Sequence, residues 1–332
     1  MSKQKDTAKK TSIGGQALIE GIMMRGVSKA AMAVRKKDGS IDVEEWELGE
    51  KKWYSKVPFV RGSFNFVTTL ADGYKCMMRS AEKSGMMDDD GEEEMTKFEK
   101  WLDDKLGDKL TDIIMGIAMV IGVVLAVVLF LFIPSLMFTG LEHLFSGTDI
   151  SGWRTIFEGV IKVALFVGYM ALVAQMKDIR RTYEYHGAEH KTIACYEAGK
   201  ELTVENIRGM CRFHPRCGTS FLIITLLCSI IVYMIVPITP EMFKEWLGFD
   251  SDFLAILLRT VCKLILLPVV VGIAYELIKL AGRYTNIFTK IISAPGLWLQ
   301  RLTTREPDDS MIEIAVAALK PVLPKEGEND NW

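Results

Sequence analysis

Between Tyr185 and Tyr196 the chain reads YHGAEHKTIACY, which sets His186 and His190 four residues apart with Glu189 immediately before the second histidine. On an α-helix, residues four apart share a face, so two imidazoles can be offered to one cation. The order H-x-x-E-H is that of the inverzincins, whose histidines hold zinc while the glutamate works on a water. A zinc site needs a third protein ligand, and RFHPRCGTSF supplies two of suitable type, His214 and Cys217. Three of the chain's four histidines thus fall in one segment, together with Cys195, Cys211 and Cys217. The fourth, His143, belongs to a different connection and reads as a polar surface residue.

Two coordination outcomes are compatible with these residues. Three protein ligands leave a position for water, with Glu189 as the general base and hydrolysis of an amide, ester or phosphoester as the reaction class. Four ligands, His186, His190, His214 and Cys217, close the shell and make the metal a staple for the loop. Zinc is the expected cofactor, and another divalent transition metal satisfies the same donors. Readings without a metal also stand: a solvated helical face with Glu189 paired to Lys191 or Arg181, His214 as a helix cap, and Cys217 as a buried thiol.

The elements that must position this segment are mostly apolar. The 332 residues are 49% hydrophobic, with 40 Lys and Arg against 42 Asp and Glu, but the charges are unevenly spread. Residues Ile113 to Ile133 carry no charge, over the length an α-helix needs to cross a bilayer. Three further spans follow, the second opening with Glu158 and Lys162, whose long side chains are expected to reach the interface, and the fourth expected to kink at Pro268. The predicted architecture is an α-helical polytopic membrane protein with four transmembrane helices, at 111–139, 156–177, 218–238 and 264–282. A small N-terminal α+β cytosolic domain (13–84) follows a disordered tail (1–12), and an acidic linker with an amphipathic helix (85–110) leads into the first span. A cytosolic metal-site loop fills 178–217, and cytosolic helices and a frayed tail fill 283–332.

Lys177, Arg180, Arg181, Lys191, Lys200, Arg208, Arg212 and Arg216 crowd the loop between spans two and three, whereas the loop before it holds only Arg154. The positive-inside rule therefore puts that loop and both termini in the cytoplasm, at the cell membrane. Arg259 and Lys263, just before the fourth span, weaken this bias without reversing it. The polar, charged start at Met1 to Lys10 does not read as a signal peptide. Cysteines 76, 195, 211, 217, 228 and 262 are scattered and do not form a disulfide framework.

In the N-terminal region, AAMAVRKKDGSIDVEEWEL carries two strand-like runs around Asp38-Gly39, a hairpin signal. GGQALIEGIMMRG reads as a strand flanked by glycine turns, with Glu20 and Arg25 able to pair or to face the metal loop. The helix that follows, with Phe59, Phe66, Val67, Leu70, Tyr74, Met77 and Met78 on one side, fits either a membrane surface or a domain core.

These two glycine-bearing and histidine-bearing motifs, with LTVENIR, HPRCGTSF, LLPVVVGIAYELIKLAGRY and APGLWLQRLTTREPDD, resemble the bacterial YqhQ family of multi-pass membrane proteins, commonly labelled predicted metal-dependent enzymes. The resemblance covers most of the chain outside the acidic linker and tail. It implies the polytopic fold and places GGQALIEGIMMRG in the working part of the molecule.

Two functions are expected from the site. The first is a membrane-embedded metal-dependent hydrolase acting at the cytoplasmic membrane surface on a membrane-associated peptide or lipid. The alternative is a non-catalytic scaffold or biogenesis factor with a structural metal, binding a membrane-protein or ribosome-associated partner. A transporter using Glu158, Lys162 and Glu276 is a weaker third reading, because no inverted repeat is evident. No phosphate-binding glycine loop or nucleic-acid module is present, so no direct nucleic-acid binding is predicted.

Overall fold

The structure, a computed structural model, describes residues 9–49, 53–86, 109–145, 147–325 and 327–332. The acidic run at 88–94 and all but the end of the helix expected at 96–110 lie outside the described residues. The chain divides into two compact units, and each is built differently.

The first unit draws on Met1–Asp88, Gly168–Cys228 and Pro268–Trp332. Its centre is an antiparallel meander of β1 (Gly14–Leu18), β2 (Gly21–Arg25), β3 (Lys29–Arg35) and β4 (Ile41–Glu47), in that spatial order. The hairpin expected at Asp38-Gly39 joins β3 to β4, with Gly39 at φ 83° and Asp38 Oδ1 accepting from the Ser40 amide at 2.9 Å. GGQALIEGIMMRG forms two strands rather than one. They reverse at Glu20, which is held at φ 49° although it is not glycine. Its carboxylate answers to Arg181 and to the Tyr185 hydroxyl, and Arg25 instead lies 3.5 Å from Asp72.

Because strand side chains alternate between faces, the sheet can bury both sides. Ile22, Met24, Ala31 and Ala33 face helix α5 (Lys177–Glu197) and helix α11 (Asp309–Leu319), where Tyr185, Ala188, Met311, Ile312 and Ala315 complete the core. On the other face Leu18, Met23, Met32 and Val34 meet Cys76 of helix α1 (Val60–Lys83). That helix packs through small residues, Gly62, Gly73, Cys76, Ser80 and Ala81, while Phe64, Val67, Leu70 and Tyr74 remain exposed. Most of the apolar side read from sequence is therefore not turned into the core. Helix α11 starts where expected, capped by the Asp308 side chain on the Met311 amide at 3.0 Å.

The C-terminal residues are packed, contrary to the expected fraying. Asp330 is 3% exposed and accepts from Thr11 and Tyr196 at 2.8 and 2.9 Å, and Asn331 bridges to Thr11. Residues 9–12 are held by the same contacts, including Lys9 at 2.7 Å from Asp330.

The second unit draws on Asp89–Val167 and Ser229–Leu267. Among the described residues four helices are long and apolar enough to cross a membrane: Gly116–Leu144, Ser151–Val173, Gly218–Ile235 and Asp252–Arg283. The first comprises α2 (Lys109–Val127) and α3 (Ile133–Leu144), joined by a π-helical turn at Val128–Phe132. The wider turn contains Phe130, whose carbonyl the ring of Pro134 would otherwise crowd. The others correspond to α4 (Arg154–Val173), α7 (Gly218–Ile235) and α9 (Asp252–Arg283), separated by α5, the short α6 (Val204–Arg208) and α8 (Pro240–Leu247). His143 lies in helix α3 rather than in a loop, 2.9 Å from Asp252.

Helix α9 starts twelve residues before the predicted fourth span and continues through Pro268. From the sequence, Arg259 and Lys263 are expected ahead of the fourth span, and the Glu158 and Lys162 side chains at the interface. All four are buried, at 2%, 3%, 1% and 4% exposed. Glu158 accepts from Arg259 and, at 2.8 Å, from Lys263, while the Lys162 and Lys263 ammonium groups stand 5.4 and 5.2 Å from the Tyr233 ring centroid. A buried carboxylate needs such partners, because apolar surroundings penalise an unpaired charge. Glu276, in the half of α9 that belongs to the first unit, pairs with Arg61 at 2.5 Å.

Candidate metal centre

Helix α5 carries the histidine motif, and its inner face is buried from Tyr185 to Ile193. Gly187 is required there, because a Cβ on it would collide with the Arg305 carbonyl oxygen. The close approach lets the chain after helix α10 (Ile287–Thr303) run against α5, with the Arg305 amide donating to the Tyr183 carbonyl at 2.9 Å.

That approach brings a helix end to His186. Thr303 is the last residue of α10, so its carbonyl has no partner further along the helix. His186 Nδ1 donates to it at 2.8 Å. His190 Nδ1 donates in the same way to the Arg212 carbonyl at 2.6 Å. Each imidazole is thereby oriented with Nε2 turned to the opposite side, the arrangement by which backbone carbonyls fix metal-binding histidines. His186 Nε2 lies 3.2 Å from Cys217 Sγ, and His190 Nε2 is buried without a hydrogen-bond partner. Ligating atoms of His186, His190 and Cys217 all fall within 4.8 Å of one another.

These three residues are 9%, 1% and 8% exposed. Burial opposes charge on His186, yet the adjoining Cys217 sulfur outweighs it and pushes the imidazole up to about 9. Burial likewise opposes ionisation of Cys217, and the two histidines still hold the thiol well below its ordinary range. Each group thus favours the charged form of the other, and a dication bound between them would compete with the proton.

Glu189 stands beside them, 4% exposed, with Oε2 buried and unpartnered. Burial pushes its carboxyl up from the usual carboxylate range, opposed by the neighbouring histidines and by the Gly15 amide, which donates to it. It pairs with neither Lys191 nor Arg181, which go to Glu306 at 2.6 Å and to Glu20. A solvated histidine face is therefore not what the chain forms. A Cβ at Gly15 would come within 2.9 Å of Glu189 Cγ, so the second glycine of the Gly14-Gly15 pair makes room for this carboxylate.

His214 is brought near but is not one of the three. Its ring centroid is 5.6 Å from that of His190, while its Nε2 lies 3.5 Å from Glu197 and 3.2 Å from Arg216. The side chain of Gln300, fully buried, causes this by accepting from the His214 amide at 2.8 Å and donating to its carbonyl at 2.7 Å. Burial lowers the His214 pKa, against the pull of Glu197. Of the remaining cysteines in this segment, Cys195 is packed in the sheet core and Cys211 is exposed. Thr303 and Gln300 carry no signal in the sequence, whereas Gly15 belongs to the glycine motif expected to allow close backbone approach.

The residues fit a divalent transition ion: two oriented imidazoles, a thiolate, and two buried unpartnered atoms, His190 Nε2 and Glu189 Oε2.

Among the described residues, fold and site define a mostly helical protein with four helices of membrane-crossing length, a small four-stranded sheet and a buried His-His-Cys cluster flanked by a carboxylate. The chain belongs to the family described as "Protein of unknown function (DUF1385)", whose model matches residues 57–325. It is 32% identical over 316 residues to "Uncharacterized protein YqhQ" of Bacillus subtilis (strain 168), covering 93% of this chain and 92% of that protein. No solved structure matches the chain.

Proposed function

We propose that the protein is a multi-pass membrane protein that binds one zinc ion through His186, His190 and Cys217 and uses Glu189 as a general base in hydrolysis. The observation that carries this reading is the buried Glu189 Oε2, without a hydrogen-bond partner among the described residues, beside three convergent ligand atoms. A bound zinc supplies Lewis acidity to a water or to the substrate's carbonyl or phosphoryl oxygen. Glu189, its pKa raised by burial, accepts a proton and returns it to a leaving group, and the Gly15 amide keeps its other oxygen in place. The Thr303 and Arg212 carbonyls hold the imidazoles in the tautomer that leaves Nε2 free.

The antiparallel bridge between Thr11 and Asn331 supports both ends of the chain lying on one side of the membrane, as four spans require. The basic content of the segment around α5 supports the cytoplasmic side.

The near-complete burial of all four groups favours a second reading, in which Glu189 completes a closed shell and the metal holds a non-catalytic scaffold together. Glu189→Gln separates the two. Catalysis predicts that the purified variant keeps its metal while hydrolysis of a panel of activated esters, amides and phosphoesters falls by about 10²-fold or more. Unchanged turnover with the metal retained removes the base; loss of metal in this variant favours the closed shell.

A further inference from the structure

A cavity of about 290 Å³ in the first unit is lined by Arg180, Glu184, Arg212, Arg301, Arg305 and Glu306. Four guanidinium groups therefore meet only two carboxylates there. Glu184 lies 3.6 Å from Arg180, and Glu306 is shared between Arg212 at 2.7 Å and Lys191 at 2.6 Å. Arg301 makes no ion pair among the described residues, and the Arg305 guanidinium reaches only the Ala174 carbonyl, at 3.4 Å. The Nε atoms of Arg212 and Arg305 are buried with no hydrogen-bond partner among the described residues.

We infer that this cavity binds a phosphate group, carried by a lipid headgroup or free in solution. Several guanidinium forks from different elements can each take oxygens of one tetrahedral anion, whereas a carboxylate is satisfied by a single fork. The cavity also adjoins the end of an apolar helix: Ala174, which Arg305 contacts, follows directly on the segment Ser151–Val173. If that helix crosses a bilayer, its end lies at headgroup depth. The backbone that lines the cavity also serves the histidines, because the Arg212 carbonyl takes His190 and Thr303, which takes His186, precedes Thr304 of the cavity wall. That the bound phosphate belongs to the substrate of the metal centre rests on the function proposed above; the binding itself does not.

The test uses full-length protein in uncharged detergent, titrated calorimetrically with dihexanoyl phosphatidic acid below its micelle concentration, with inorganic phosphate, and with dihexanoylglycerol. Arg301 is exposed, so Arg301→Glu is expected to stay folded, and Arg301→Lys checks the need for a fork. The proposal expects phosphatidic acid to bind, at least about tenfold more weakly in Arg301→Glu, partly restored in Arg301→Lys, and more weakly with added salt. Binding by phosphatidic acid alone assigns the site to a lipid headgroup, and equal binding of inorganic phosphate assigns it to the free anion. Equal affinity in wild type and Arg301→Glu, or equal binding of the phosphate-free dihexanoylglycerol, overturns it. Metal content is measured on the same samples: arginine-dependent binding by a protein without metal keeps the phosphate site and removes the hydrolase reading.

Discussion

A Cβ on Gly15 would meet the Met23 carbonyl oxygen at 2.8 Å and Glu189 Cγ and Cδ at 2.9 Å, and of these the Glu189 side chain is the one free to shift. Gly15→Ala is therefore expected to leave the metal bound while displacing Glu189, so that hydrolysis falls by about tenfold to a hundredfold. Metal content together with the absorption spectrum of cobalt-substituted protein checks this: the thiolate-to-cobalt band should persist, and turnover unchanged by the substitution would show that the contact is idle. The pairing of His186 with His190 was legible because spacing on a helix is local. The exclusion of His214 was not, because it depends on Gln300, 86 positions along the chain. Thr303 was illegible for a related reason, since its role belongs to its carbonyl and the end of a helix rather than to its side chain.

Helices were read more securely than their limits. The apolar runs gave four spans, but the fourth was started late because Arg259 and Lys263 resemble loop charges until Glu158 is seen between them. Glu158→Ala leaves both cations buried without their carboxylate and should cost about 3–5 kcal/mol. Thermal unfolding in detergent reads this, and a variant as stable as wild type would show that the network is solvated. At the end of α10, Gln300→Ala removes three hydrogen bonds, to the His214 amide, its carbonyl and the Ser220 hydroxyl. A loss of about 1–3 kcal/mol is expected, with His214 released from its backbone clamp. Strand β2 was partly hidden: a two-residue reversal without glycine at its centre carries no turn signature, and Glu20 is held there by Arg181 and Tyr185 from α5.

Across the molecule, the least legible feature was that the chain's first described residues and its last ones complete one core. Hydrophobic periodicity marks α11 as a helix but cannot say that it packs on a sheet nearly three hundred residues earlier. Burial opposes ionisation of Asp330, but Lys9, Thr11 and Tyr196 more than compensate and lower its pKa. A carboxyl depressed in the fold contributes stability above its unfolded value, about 4, and loses it as pH falls through the folded value. Melting temperature should therefore drop below pH of about 4, with a shallower dependence in Asp330→Asn; identical pH profiles would detach Asp330 from the acid limb. The pairing of Thr11 with Asn331 also makes topology testable. Reporter fusions at the two ends should report the same side of the membrane, and opposite sides would be incompatible with it.

The central claim is that His186, His190 and Cys217 hold one metal ion, and elemental analysis of the detergent-purified protein tests it most directly. The account predicts about one equivalent of zinc or another divalent transition metal in the wild type, near zero in His190→Ala and Cys217→Ala, and retention in His214→Ala. A wild type free of transition metal, or a Cys217→Ala protein that keeps its full equivalent, would contradict it.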